Sequence, residues 1–319
     1  MEPVIHETTV KTKTSALRAP KTRWNFSKNW PLHILVLPAV ILGLLFHYGP
    51  LPGMIMAFQE YKPWLGFGGS EWVGLDNFKR IFEFSETRRV ISNTLVISSF
   101  KIVFSLIVPL VFALLLNEVR ISSLKRTIQT LVYLPHFLSW VILGGILIDI
   151  LSVKGGIVNQ ALGFFGIGPV FFLGDNQWFV FTLITSDLWK EFGFSAIVFL
   201  AALSGVNPSL YEASVIDGAN RLQQVWYITL PAIIPIVIVV ATLSLGQILN
   251  AGFDQVFNLY NPLVYESGDI IDTYVYRVGL LGGQFSFATA VGMFKSVIGF
   301  ILIITGYYLA YRFANYRIF

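Results

Sequence analysis

Long apolar stretches constrain this chain more than any other feature of its sequence. A helix that crosses a lipid bilayer needs about 20 mostly apolar residues, because the hydrocarbon core holds no water to satisfy an open backbone. Six stretches of the 319-residue chain meet that length. We therefore predict six transmembrane helices, at approximately residues 33–58, 90–117, 128–151, 178–204, 228–250 and 289–312.

The composition supports an all-α integral membrane protein. Hydrophobic residues make up 55% of the chain and charged residues 13%, whereas about a quarter of the residues in a soluble domain are charged. There is no cysteine, which excludes disulfides and cysteine-bound metals, and the four histidines are too few and scattered for a multi-histidine centre. We predict no catalytic residue, no metal site and no cofactor in this chain.

The distribution of Lys and Arg predicts the orientation. With both termini in the cytoplasm, the inner segments hold 12 of these residues and the outer loops hold seven. Cytoplasmic loops normally carry the excess, so we predict that both termini are cytoplasmic. Residues 1–30 are predicted to form a cytoplasmic tail with an amphipathic segment at Trp24, Phe26 and Trp30, and residues 31–319 a single transmembrane domain.

The connection between the fourth and fifth predicted spans, residues 205–231, is unlike the others. It reads E-A-S-V-I-D-G at 212–218 and I-T-L-P at 228–231. Pro208 suits the first turn of a helix, Ser209 can cap it, and Glu212 is predicted in that first turn. We predict a short helix at the cytoplasmic face, bent after Gly218. Small side chains would form its docking surface: Ala213, Ser214 and Ala219.

This connection resembles the EAA loop of permease subunits of bacterial ATP-binding-cassette (ABC) importers, E-A-A-x3-G-x9-I-x-L-P. Every spacing matches, and the one substitution is Ser214 for the second alanine. Three shorter runs resemble the carbohydrate-importer branch, most closely permeases for oligosaccharides, alginate and pectin fragments. They are G-L-D-N-F at 74–78, N-T at 93–94 and Y-L-P at 133–135.

The resemblance implies the type I ABC importer permease fold in a bacterial cell membrane. It also implies a second homologous permease subunit, two cytoplasmic ATPase subunits that bind ATP and Mg, and an extracellular solute-binding protein, with no role for nucleic acid. The chain has no G-x-x-x-x-G-K-[ST] sequence, so a partner must hydrolyse the ATP. The implied ATPase-coupling residues are Tyr211, Glu212, Ala213, Ser214, Asp217, Gly218, Ala219 and Arg221.

Polar residues inside the predicted spans are candidates for the solute path, because they are costly in lipid and normally face a cavity or a partner. Asp187, Glu191 and Phe194 share one helical face by their spacing, and Gln247, Asn250 and Asp254 would share another. Amides and aromatic rings suit a sugar, which presents hydroxyl groups and C–H faces. The predicted path comprises Asp187, Trp189, Lys190, Glu191, Phe194, Gln247, Asn250 and Asp254.

Structural roles for the same residues stay open. Lys190 could neutralise Asp187 or Glu191, the two amides could join helices, and Asp254 could lie outside the bilayer. We expect Lys295 to reach the membrane surface, and Lys101 and Asp149 to pair or pack. Three tryptophans in the outer loops are expected to anchor the membrane interface: Trp64, Trp72 and Trp178.

Two other classes of protein were weighed against an importer subunit. An ion-coupled carrier would use Asp187, Lys190 and Glu191 as a relay, but it leaves the EAA loop without a role. A membrane-embedded enzyme would need clustered acids or a metal motif, which the sequence lacks. Within the importer class a non-sugar solute stays open. The outer loops at 59–89 and 251–288 are the predicted docking surface for the binding protein.

Overall fold

The computed structural model describes residues 26–314, and most of them are helical. Backbone contacts divide the chain between Gly53 and Met54, and the two parts are described separately. The first is an almost continuous helical run of α1 (Phe26–Gly43), a π-helical turn (Leu44–Tyr48) and a 3-10 stretch (Leu51–Phe58). Its large apolar side chains are exposed, which suits a lipid-facing helix. Trp24 lies outside the described residues.

A small hairpin, which we did not predict, follows this first run. Strand β1 (Gln59–Glu60) pairs antiparallel with β2 (Glu71–Trp72), and α2 (Gly66–Gly69) lies between them. Helix α3 (Asp76–Glu83) comes next. The buried Asn77 side chain donates to the carbonyls of Ala57 and Gln59 at 3.0 and 3.1 Å, which fixes α3 against the start of the hairpin.

The third predicted span, 128–151, is a bent pair of helices rather than one continuous helix. The second span is α4 (Ser85–Asn117), but the next segment is α5 (Ser122–Tyr133) with a 3-10 turn (Leu134–Phe137), then α6 (Trp140–Ile150). The two pieces are bent by 101°. Proline lies in the 3-10 turn at Pro135, and the Ser139 hydroxyl accepts from the Ile142 N–H at 3.4 Å, so a new helix is capped at the bend.

The fourth span is close to its prediction. After α7 (Ile157–Phe164), α8 runs Asn176–Ser204, and α9 (Pro208–Ile216) continues at a bend of 68°. Helices α4 and α8 pack along their length. Their fully buried side chains include Ile97, Leu183 and Phe199, which belong to two of the three apolar clusters of the core.

The fifth span ends earlier than predicted. It comprises α10 (Arg221–Gln224), a π-helical turn (Val225–Thr229) and α11 (Leu230–Leu245). The predicted end at residue 250 is therefore wrong, because residues 246–252 are not α-helical. A left-handed Gly252 (φ +91°) then precedes the next helix, a conformation that a helix cannot continue through.

The remaining chain folds as short helices followed by the last span. The elements are α12 (Phe253–Leu259), a 3-10 turn (Pro262–Val264), α13 (Tyr265–Gly268), α14 (Ile271–Val275), a π-helical turn (Tyr276–Leu281) and α15 (Phe285–Ala314). Within the described residues, four helices are long and apolar enough to span a membrane, and six if each bent pair is one span. The predicted six therefore depends on two broken helices.

Arg277 ties the short helices to the start of α4. Its Nη2 lies 2.9 Å from Glu86 and 2.5 Å from Asp269, and its guanidinium lies over the rings of Tyr265 (4.7 Å) and Tyr274 (5.5 Å). Asp269 is 1% exposed. A carboxylate this deeply buried needs its cation, because removing one partner of such a pair leaves an uncompensated charge.

The two charges of this pair have opposed pKa shifts. Burial raises the pKa of Asp269, although hydrogen bonds from Thr273 and Arg277 oppose the change. Burial lowers the pKa of Arg277, but its hydrogen bonds to Asp269 and Glu86 outweigh that effect and raise it overall. An acid whose folded-state pKa is raised binds its proton more tightly when folded, so its contribution to stability is lost as pH rises through that pKa.

Replacing Arg277 by Gln tests this pair. We expect R277Q to lower the free energy of unfolding by about 3 kcal/mol near neutral pH, because Asp269 is left charged and buried. The deficit should shrink as pH falls, because Asp269 without its arginine then binds a proton. Thermal unfolding in detergent at neutral and at acidic pH measures it. The double variant R277Q/D269N should recover part of the loss; equal unfolding of R277Q and the unaltered protein would contradict the role.

Candidate functional site

The non-helical backbone at residues 246–252 defines the first candidate site. It lies between the end of α11 at Leu245 and the start of α12 at Phe253. Open backbone within a membrane protein is tolerated where it is buried in protein or lines a polar cavity, because lipid cannot satisfy its N–H and C=O groups. The residues around this segment therefore decide whether it is buried in protein or lines a cavity.

Lys101 of α4 supports this segment directly. Its Nζ donates to the carbonyl of Ala251 at 2.7 Å and to Oε1 of Gln255, and it lies 3.3 Å from Oδ1 of Asp187. Its side chain is 9% exposed. The prediction that Lys101 forms a pair is confirmed, and its partner is Asp187.

Gln255 extends the same network to α8. It is fully buried, and its Nε2 donates to the Leu183 carbonyl and the Ser186 hydroxyl, both at 2.8 Å. The network thus joins α4, α8 and α12 by hydrogen bonds, which give its polar groups partners inside the apolar core. A buried network with every member satisfied holds its parts in one arrangement.

A polar cavity of about 260 Å³ opens beside the network. Three residues of the predicted solute path meet there: Asp187, Gln247 and Asn250. The cavity wall is made of these three with Ser98, Lys101, Ile102, Ser105, Ser244, Ala251 and Gly252. Within the described residues the buried Ser98 hydroxyl has no hydrogen-bond partner. The wall offers hydroxyls, amides and one ion pair, which suits a ligand with many hydroxyl groups.

The predicted helical face for Gln247, Asn250 and Asp254 is wrong, because α11 ends before them. The two amides still share the cavity, and Nδ2 of Asn250 donates to Oε1 of Gln247 at 3.4 Å. Asp254 lies in α12, exposed and outside the cavity. Trp189 lines a separate, largely apolar pocket on another side of α8.

The other predicted residues form a second cluster where α8 meets the bend before α6. Lys190 donates to Glu191 at 2.7 Å and to the His136 carbonyl at 2.9 Å, and the other oxygen of Glu191 lies 2.7 Å from His136 Nδ1. The His136 ring stacks on Phe194 at 3.9 Å. Of the two partners left open for Lys190, it pairs with Glu191, whereas Asp187 pairs with Lys101. The three residues that an ion-coupled carrier would use as a relay are therefore divided between two clusters.

One further expectation is corrected and one stays a prediction. Lys295 Nζ lies 2.5 and 2.7 Å from the two carboxylate oxygens of Asp272, and its reach to the membrane surface stays a prediction. Asp149 is exposed and has no ion pair with any residue from 26 to 314. Over the same residues, no group of three or more metal-binding side chains comes together.

The second candidate site is α9 and the turn that follows it. The Asn207 side chain, not that of Ser209, caps the helix by accepting from the Ser209 N–H at 3.0 Å, and Pro208 occupies the first turn. Glu212 therefore lies beyond the first turn, contrary to prediction. Gly218 has φ +78° and its missing Cβ would meet no neighbour, so backbone conformation rather than close packing requires glycine there.

Ser214 faces the protein interior. The expectation that it forms part of an exposed docking surface is wrong: it is 9% exposed, donates to the Tyr211 carbonyl at 2.8 Å and accepts from Gln224 Nε2 at 3.0 Å. The Tyr211 hydroxyl lies 2.9 Å from the Thr229 hydroxyl. These bonds brace α9 against the base of the fifth span.

The outer face of α9 is exposed and mixes acids with apolar groups. Glu212, Ala213 and Asp217 are all exposed, and Arg221 forms only a long exposed contact with Glu118 at 3.9 Å. Large apolar side chains that we did not single out are also exposed here: Val215 (63%), Ile216 (86%), Leu222 (68%) and Tyr227 (80%). Such a grouping is typical of a surface that another protein covers.

The family comparison agrees with this geometry. Residues 105–317 match the family described as the binding-protein-dependent transport system inner membrane component. This chain belongs to that family. It is a multi-pass transport permease of the cytoplasmic membrane and not an enzyme.

Relatives of the permease match over nearly its whole length. The polygalacturonan/rhamnogalacturonan transport system permease protein YteP of Bacillus subtilis is 45% identical, with 89% of this chain and 88% of that protein covered. A crystal structure of a bacterial ABC transporter that imports the acidic polysaccharide alginate matches with a TM-score of 0.82 and 39% identity, covering 90% and 97% of the two chains. A second structure of the alginate transporter, in complex with a periplasmic protein bound to alginate pentasaccharide, matches equally well, covering 90% and 96%. The predicted fold class is confirmed.

The polar network missed by sequence reasoning carries a strong signal in retrospect. Lys101 is an isolated cation in a long apolar stretch, and Gln255 follows the glycine that ends the break. Both are residues that the membrane tolerates only with partners. Their partners lie 69 to 154 positions away along the chain, so spacing within one helix could not identify them.

Replacing Lys101 by Met tests the network. K101M should lower the melting temperature in detergent more than D187N does, because it strands both the Asp187 charge and the Ala251 carbonyl, whereas D187N leaves Lys101 two acceptors. The double variant K101M/D187N should melt above K101M. Equal melting of K101M and D187N would show that the backbone support contributes nothing.

Proposed function

We propose that this permease forms one half of the membrane channel of an ABC importer for acidic oligosaccharides. The polar cavity beside the broken fifth span carries this proposal, because it is a place within the apolar stretches where hydroxyls, amides and an open backbone converge. Similarity to a polygalacturonan/rhamnogalacturonan permease and an alginate importer supports a uronate-containing solute.

The cavity is suited to a polyol rather than to a free ion. Two amides, several hydroxyls and an already neutralised Lys101–Asp187 pair give donors and acceptors with no net charge beyond that pair. Its volume of about 260 Å³ is below the roughly 300–1,000 Å³ of complete ligand pockets. A second permease chain facing this cavity would supply the other wall.

The energy would come from two ATPase subunits docked on α9. The exposed acids and apolar side chains of this helix give such a partner both charge and apolar contact. The coupling set is Tyr211, Glu212, Ala213, Ser214, Asp217, Gly218, Ala219 and Arg221, with Ser214 and Tyr211 acting inward to brace the helix. ATP and Mg would be held by the partner. Both termini would then lie in the cytoplasm.

The solute would arrive from a binding protein at the opposite face. The outer segments 59–89 and 251–288 are folded into a hairpin and short helices, and Arg277 joins one to the other through Glu86. A docking surface made of ordered elements loses less conformational entropy when a partner binds.

Replacing Gln247 and Asn250 by Ala tests the solute path. In the importer reconstituted with its partners, we expect Q247A/N250A to raise the KM for oligosaccharide uptake about tenfold, because two amide hydrogen bonds are lost. Q160A is the control, since Gln160 is an exposed amide of α7 that lies outside the cavity and outside both docking segments, and its kinetics should not change. Unaltered uptake by the double variant would show that both amides only contribute to helix packing.

Replacing Glu212 by Gln and Gly218 by Ala tests the coupling loop. G218A should distort the turn, because alanine at positive φ costs about 1 kcal/mol, and E212Q removes an exposed charge. Both should reduce substrate-stimulated ATP hydrolysis while binding-protein docking persists. D149N, at an exposed carboxylate of α6 outside both docking segments, is the charge-matched control. Normal stimulated hydrolysis in both loop variants would contradict docking at α9.

A further inference from the structure

A second, larger cavity lies at the other end of α12. Its volume is about 710 Å³, and three segments enclose it: 148–154 after the bend in the third span, 171–173, and 258–261. It shares no lining residue with the polar cavity at 246–252. Helix α12 begins at the polar cavity and ends at this one, and seven residues of helix span roughly 10 Å.

Aromatic and aliphatic side chains form most of its wall. Phe171 is 49% exposed, and Tyr260 and Leu173 are partly buried beside it. Apolar walls with a few fixed polar groups are typical of small-molecule sites. A sugar ring suits such a wall, because its C–H face packs on an aromatic ring while its edge carries hydroxyls.

Two amides supply fixed polar groups. Asn261 donates to the Leu173 carbonyl at 2.7 Å and accepts from the Leu263 N–H at 3.0 Å, so its side chain is held in place. Asn258 donates to the Asp254 carbonyl at 2.7 Å, and its oxygen has no partner among the described residues. That oxygen remains available to accept a hydroxyl.

Lys154 gives the cavity a positive charge that nothing neutralises. Its side chain is exposed and forms no ion pair or hydrogen bond with any residue between 26 and 314. None of the described residues lining the cavity is acidic. The contrast with Lys101, Lys190 and Lys295 is informative, because each of those is paired with a carboxylate.

We propose that this cavity is a separate binding site for a uronate-containing saccharide, in which Lys154 pairs with a carboxylate, Phe171 and Tyr260 pack on the ring, and Asn258 accepts a hydroxyl. The site rests on the proposed function and extends it. This second cavity recognises the carboxylates of the glycan, whereas the polar cavity, whose ion pair is already neutralised, does not.

Uptake of trigalacturonate and of its methyl ester tests whether Lys154 pairs with a carboxylate of the saccharide. The ester keeps the rings and removes the charges. In the importer reconstituted with its partners in sealed liposomes, K154Q should raise the KM for trigalacturonate uptake about fivefold and leave that for the ester unchanged, as expected for one partly exposed ion pair. K125Q is the control, because Lys125 lies in α5, lines neither cavity and is outside both proposed docking segments. An unchanged KM, or an equal change with the ester, would overturn the proposal.

Direct binding separates this site from the proposed function. Equilibrium dialysis of trigalacturonate against the full chain in nanodiscs should show weaker binding by K154Q, and F171A should weaken binding of acid and ester alike by about threefold to tenfold. If the unaltered importer takes up no trigalacturonate, the proposed function fails, and dialysis still decides the site. Unaltered binding by both variants, with melting temperatures like that of the unaltered chain, would reject it.

Discussion

The structure depends on how an open stretch of backbone is satisfied inside an apolar protein. Residues 246–252 leave the helical conformation at the end of a predicted transmembrane span. Lys101 of α4 donates a hydrogen bond to a backbone carbonyl of this segment, which a helix would otherwise have satisfied. The ammonium group is itself expensive to bury, and Asp187 and Gln255 neutralise and orient it. Each polar group in the network requires the next, so the cavity and the packing of three helices form one unit.

The positions of the long spans could be predicted from hydropathy, and their breaks could not. Apolar content identifies α4, α8 and α15 within a few residues, because leucine, isoleucine and phenylalanine are needed wherever a helix meets lipid. Apolar residues also continue through the 101° bend after Phe137 and through residues 246–249, so hydropathy does not mark either break. A serine cap starts the new helix at the bend, and hydrogen bonds from distant residues hold the non-helical backbone after α11.

The candidate sites divide in the same way. The coupling loop could be found because a motif fixes residue types at local spacings, and the left-handed Gly218 explains one of those positions physically. Even there, the inward direction of Ser214 followed from Gln224, which the motif does not specify. The candidate solute path was predicted from faces of single helices, whereas the polar cavity that three of its residues line is assembled from α4, α8, the end of α11 and the segment after it. Helical periodicity contains no information on which helices meet.

The bond between Ser214 and Gln224 gives the fifth span a mechanical property. Residues 221–245 form one helical run, braced to α9 at one end and bordering the polar cavity at the other. A rod of 25 residues is roughly 37 Å long, so a tilt of about 10° at its base moves its far end by about 6 Å. A small rotation of the surface helix α9 would in this way produce a much larger displacement of the cavity wall.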